Sequence, residues 1–170
     1  MSSPQTGLPV DPTAALDALR RECRTVILAT VDAEAHPDAS YAPFALEDGP
    51  AGALLLIVSG LARHTANLLG SRRASAMLIQ DEAGAGQVFA RRRATFACRV
   101  EAIARDTARW SAGIEALQAR HGAVIGLVRD LGDFQLLRLV PEAGTLVLGF
   151  GKAFRLTGPG CRTIEPVGPK

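Results

Sequence analysis

Thr25-Val-Ile-Leu-Ala-Thr-Val31 is followed by Asp32-Ala-Glu-Ala-His-Pro37 and then by Asp38-Ala-Ser-Tyr-Ala-Pro-Phe-Ala-Leu46. The first stretch is a β-branched run of strand length, the second a polar turn, and the third an alternating, extended segment. Together they read as a hairpin. Downstream, Asp48-Gly49-Pro50 with Gly52 punctuates the chain. Ala53 to Ser59 is then too apolar for anything but a strand buried on both faces or nearly so. Ser59 opens into Gly60, and Leu61, Thr65, Leu68 and Leu69 keep helical spacing as far as Gly70-Ser71, which predicts strand, tight turn and short helix in succession. Ala74 to Gln80 predicts a further strand, Asp81 to Gly86 a loop, and Gln87 to Arg105 a long extended stretch bent or bulged midway. Asp106 is expected to cap a helix with Trp110, Ile114 and Leu117 on one face, ending near His121-Gly122. A second short helix reaches about Leu131. Three short strands follow, over Asp133 to Pro141, Gly144 to Phe150 and Lys152 to Leu156.

Upstream of the hairpin, Asp11 and Pro12 supply an N-cap and a first-turn proline for a helix that runs to about Arg24. Residues 1–10 are polar and without period and read as a disordered leader, residues 11–157 as one domain, and residues 158–170 as a C-terminal tail. The strands come in hairpin-like runs, not in alternation with helices. The expected fold is therefore mainly antiparallel β (α+β), a barrel with short flanking helices, and not a doubly wound parallel sheet.

Composition narrows the function. The chain has 170 residues, 48% of them hydrophobic, with 19 basic against 17 acidic side chains. A net charge of +2 is too small for a protein that wraps nucleic acid or coats a membrane surface. The longest apolar run is far shorter than the roughly 20 residues that span a bilayer, and no secretory signal opens the chain, so a cytoplasmic protein is expected. Cys23, Cys98 and Cys161 lie far apart without a Cys-x-x-Cys or Cys/His cluster, which predicts free thiols and no metal site. Walker, Gly-x-Ser-x-Gly and dinucleotide-binding motifs are absent, and no residue stands out as a catalytic acid, base or nucleophile.

Three segments carry possible chemistry. Ser59-Gly-Leu-Ala-Arg63-His64-Thr65-Ala-Asn67 places hydroxyls and cations at a helix N-terminus, where unpaired N–H groups favour an anion; as a phosphate cradle it competes with plain turn capping. Arg91-Arg92-Arg93 is expected on a strand, with Arg91 and Arg93 on one face; it reads either as an anion site or as charge protecting an edge. Gly149-Phe150-Gly151-Lys152 suggests a bend or a close ligand approach. Asp130 and Asp133 flank a turn and read as caps.

Taken in order, Ile27 to Asp32, Pro37 to Phe44, Ser59 to Asn67, Phe89 to Arg93 and Gly149 to Ala153 resemble the flavin-binding split-barrel family related to pyridoxamine 5′-phosphate oxidase, and within it the haem-utilisation branch. The resemblance covers residues 24–157 and implies a six-stranded split barrel, a homodimer with cofactor sites at the interface, and FMN as cofactor. It implies that Ser59, Arg63, His64, Thr65 and Asn67 hold the FMN phosphate and ribityl chain. Tyr41, Ala42 and Pro43 would flank the isoalloxazine, Arg91, Arg92 or Arg93 would reach it, and Phe150 and Lys152 would lie nearby. The main expectation is an FMN-dependent oxidoreductase acting on a small molecule. The alternatives are a haem-binding or haem-degrading protein and a non-catalytic flavin or haem carrier. Haem-degrading relatives use an Asp at the position of Asp133 to support an axial histidine from their C-terminal extension. No histidine follows His121 here, a departure that points away from haem degradation towards plain flavin binding, with the Cys161 thiolate as the alternative ligand in that segment.

Overall fold

The computed structural model describes residues 11–168, so the expected leader at residues 1–10 lies outside them. Helix α1 spans Pro12–Glu22, and the Asp11 carboxylate accepts from the N–H groups of Thr13 and Ala14, as the capping signal required. Strands β1 (Thr25–Val31) and β2 (Pro37–Pro43) pair antiparallel, with Ile27 opposite Tyr41 and Ala29 opposite Ala39. The remaining strands are β3 (Ala45–Leu46), β4 (Leu54–Ser59), β5 (Arg73–Ile79), β6 (Arg93–Ile103), β7 (Phe134–Gly149), β8 (Lys152–Thr157) and β9 (Thr163–Pro166). Helix α2 (Arg63–Ser71) follows β4, while α3 (Ala108–His121) and α4 (Val124–Arg129) separate β6 from β7.

All pairings are antiparallel, in the order β2-β1-β5-β6-β7-β4-β3 with β8 on β7 and β9 on β8. β2 also comes back against β4, so the sheet curls into the expected split barrel, with β1, β2 and β4–β7 as its principal strands. The split is visible in β7: its first half, Phe134–Leu139, pairs with β4, and its second half, from Gly144, pairs with β8.

Two apolar layers follow from strand alternation. Leu54, Leu56 and Val58 of β4 point into the barrel with Leu28, Phe96, Leu137 and Leu146. Leu55 and Ile57, on the opposite face, meet Ile114 and Leu117 of α3 and Ile125 of α4. That double burial explains why β4 is apolar at every position but its last, Ser59. Burial of Trp110, Ile114 and Leu117 along one side of α3 agrees with the helical period.

Several expectations need correction. The segment 38–46 is two strands, because Phe44 leaves the sheet and is fully buried in the barrel. β7 is one strand where two were expected across Pro141 and Gly144. Its register slips opposite Ala97/Cys98, so Glu142 is the bulged residue and Pro141 needs no ladder donor. Gly144 fits there because a Cβ would lie 2.6 Å from the Thr95 carbonyl oxygen. Thr107, not Asp106, caps α3, its hydroxyl accepting from the Trp110 N–H. The tail read at 158–170 contains a tight turn and β9, and Gly160 and Cys161 are buried. Among the described residues no helix is long and apolar enough to cross a membrane.

Candidate functional site

The β4–α2 junction is built around Ser59. Its hydroxyl donates to Asp133 Oδ2 at 2.7 Å and accepts from the Leu61 N–H, while its carbonyl accepts from the Thr65 hydroxyl at 2.7 Å. Gly60 N–H donates to the Asp133 carbonyl at 2.7 Å, and a Cβ on Gly60 would stand 2.9 Å from that oxygen. This glycine thus allows the close approach of two chain segments 74 residues apart. Asn67 is buried and donates to the Thr30 hydroxyl of β1 at 3.0 Å. Ser59, Thr65 and Asn67 therefore spend their polar groups on fastening α2 to the sheet.

Arg63 and His64, in the first turn of α2, are not spent in this way. The Arg63 side chain is 76% exposed and has Asp38 at 4.0 Å as its ion partner. His64 is half-buried and makes no hydrogen bond among the described residues. Burial holds its imidazole below the usual range, partly opposed by Asp38. No side chain caps α2, so its first N–H groups point outward. Ser40 shares the Asp38 face of β2, and its hydroxyl is buried without a partner. Asp38 and Thr30 are parts of this site that sequence reading missed, since only pairing of β1 with β2 brings them to α2.

Tyr41 and Pro43 are exposed on the outer face of β2, whereas Ala42 is buried in the barrel. Across the sheet, Tyr41, Ile27 and Met77 lie in one row, and Ala39, Ala29 and Ser75 in the next. Ile27, Val31 and Tyr41 stand out from this face as exposed apolar side chains, and Arg73 at the start of β5 is its charged member. The arginine run is only partly strand: Arg91 and Arg92 precede β6, which begins at Arg93, so the expected shared face of Arg91 and Arg93 does not form. Arg91 donates to the Gln80 carbonyl and pairs with Glu82 at 2.8 Å. Arg92 donates to the Gln80 side chain and lies 3.7 Å from Glu22, and Arg93 donates to the Arg91 carbonyl. Arg24, Ile27, Met77, Arg91 and Arg92 line a cleft of about 610 Å³ that shares no residue with the α2 turn. Phe150 and Lys152 are exposed at the β7–β8 hairpin, away from the Ser59 turn in sequence and without a bond to it; Gly149 adjoins Ala90 instead.

Cys161 does not serve as an exposed ligand. It is fully buried, and burial pushes its thiol upward, while Cys98 is pushed up to about 12. Cys23 is raised by burial and directs its Sγ to the Ile79 carbonyl.

The fold is a split barrel with its β4–α2 turn pinned to the β7 end by Asp133, and residues 12–148 match the family model described as pyridoxamine 5′-phosphate oxidase. The chain belongs to that family. It is similar to haem oxygenase HutZ of Vibrio cholerae, at 41% identity over 140 residues covering 82% of this chain and 77% of that one. The crystal structure of HutZ, described as the haem storage protein of Vibrio cholerae, superposes with a TM-score of 0.73 at 38% identity, over 80% of this chain and 93% of the other. Campylobacter jejuni ChuZ shares the fold with a TM-score of 0.80 at 24% identity, over 91% of this chain and 61% of its own.

Proposed function

We propose that this chain binds haem and acts in haem utilisation, as a homodimer whose copies meet through the outer face of β1 and β2, where Ile27, Val31 and Tyr41 are exposed. The observation that carries the reading is the 41% identity to a haem oxygenase across four-fifths of the chain. At the start of α2, Arg63 offers a haem propionate a cation with only one distant partner, and the exposed Leu61 beside it offers apolar surface. When bound, haem supplies the iron and its oxygen and redox chemistry. The chain supplies the orientation, the charge partners of the propionates and the exclusion of water.

FMN is the second reading, supported by the family and by the free N–H groups at the start of α2. It fits less well, because the Ser59, Thr65 and Asn67 groups are already bonded within the turn and to Thr30. Purification without added cofactor, followed by separate titrations with haem and FMN, tests the choice. A saturable Soret band at one haem per chain is expected. Saturable quenching of flavin fluorescence with no Soret band overturns the haem reading.

A further inference from the structure

Haem iron is held in proteins by histidine, cysteine, methionine or tyrosine side chains, and this chain has few: three His, three Cys, two Met and one Tyr. Cys98 and Cys161 are buried in the barrel core, and Cys23 points its sulfur at the Ile79 carbonyl. His121 Nε2 sits 2.8 Å from the Phe44 carbonyl, closing the end of α3 onto the β2–β3 joint. His36 is held by Asp32, Nδ1 to Oδ2 at 3.1 Å, in the exposed β1–β2 turn. Met1 lies outside the described residues. His64, Met77 and Tyr41 remain.

His64 differs from the other two in surroundings. Both ring nitrogens are without a partner among the described residues, although the ring is half-buried. Its neighbour Arg63 presents a guanidinium open to a propionate, and Leu61, one turn before it, is 89% exposed and can cover a porphyrin edge. The backbone that carries the ring is fixed from both sides, by Ser59 and Gly60 on Asp133 and by Thr65 on Ser59. A ligand so held loses little freedom when it meets a metal.

From these observations we infer that His64 supplies the imidazole that ligates the haem iron. The inference rests on the haem reading of the previous section. It places the ligand on α2 and not in the C-terminal segment, where residues 122–170 contain no histidine.

The test compares the full chain with its His64→Ala and His36→Ala variants by haem titration, electron paramagnetic resonance and resonance Raman spectroscopy of the iron–imidazole stretch. The wild type and His36→Ala should show histidine ligation. His64→Ala should lose that signature, bind haem at least roughly tenfold more weakly, and recover the signature on addition of imidazole. Circular dichroism should show the variant folded, since His64 makes no hydrogen bond among the described residues. Retention of the histidine signature in His64→Ala overturns the inference while leaving haem binding intact. A tyrosinate or thioether signature in the wild type overturns it in favour of Tyr41 or Met77. Absence of any Soret change in the wild type overturns both the inference and the reading beneath it.

Discussion

Replacing Gly60 with alanine tests whether the β4–α2 turn depends on the approach of Asp133. The added Cβ would stand 2.9 Å from the Asp133 carbonyl oxygen, a backbone atom that cannot swing away. Ordinary contact begins near 3.4 Å, so the two segments must part by about 0.5 Å. That displacement weakens the Gly60 N–H bond to the same oxygen and pulls the Asp133 carboxylate from the Ser59 hydroxyl, both now at 2.7 Å. A backbone hydrogen bond contributes about 0.5–1.5 kcal/mol net, and the second bond, exposed to solvent, about as much. Against this, alanine lowers the entropy of the unfolded chain by about 0.4–1 kcal/mol. The expected loss is about 1–2 kcal/mol, or a fall in Tm of roughly 3–6 °C for a domain of this size. Urea denaturation should show a lower midpoint with an unchanged slope. Ser59→Ala should cost less in the Gly60→Ala background than in the wild type, because the bond it removes is already weakened. Stability within about 0.5 kcal/mol of the wild type, or strict additivity of the two changes, would refute the reasoning.

Four further outcomes are expected. Gly144→Ala drives a Cβ to 2.6 Å from the Thr95 carbonyl oxygen and should destabilise by about 3 kcal/mol, measured by chemical denaturation; a neutral result would mean that β6 and β7 part freely. Arg120 donates to the carbonyls of Arg20, Arg21 and Cys23 and lies over Phe44, so Arg120→Ala should raise hydrogen-exchange rates in α1 before those in the barrel. Hydrogen bonding from Arg99, with Arg138 adding to it, holds the Glu101 carboxyl below its usual 4.5. Its contribution to stability is therefore present above that value and is lost as the pH falls through its lowered range, so Glu101→Gln should flatten the acid limb of a stability–pH curve. Ile27→Asp places a charge among the exposed apolar side chains of the proposed dimer face and should shift sedimentation to the monomer without changing circular dichroism; an unmoved dimer would place the interface elsewhere.

The elements with strong local signals were legible in the sequence. β1 begins and ends where its β-branched run does, α1 starts on its Asp-Pro cap, and the apolar run of β4 is buried on both sides as its composition demands. The misreadings share a cause, since each turns on a partner distant in sequence. Pro141 and Gly144 look like breakers until β6 is laid beside them, and residues 163–166 look like tail until β8 pairs with them. The site divides in the same way. Ser59 to Asn67 marks itself as a helix start beside a sharp turn, but nothing local says that Ser59, Thr65 and Asn67 bond to Asp133, to the turn itself and to Thr30. Only that accounting separates the groups free to meet a ligand, Arg63 and His64, from those already engaged.

Arg20 joins the first helix to residue 160. Its guanidinium is buried over Phe96 and donates to the Gly160 carbonyl at 2.6 Å, across 140 positions of chain. On the ribosome, α1 is synthesised 140 residues before the acceptor for its buried cation. Until then the guanidinium must stay in water, and α1 cannot settle against the barrel without leaving a charge unsatisfied. Helix α1 is thereby made to wait for the turn at residues 159–161. Closure of the barrel becomes a late, concerted event, and a nascent chain arrested before residue 160 should remain open to proteases over both of its ends.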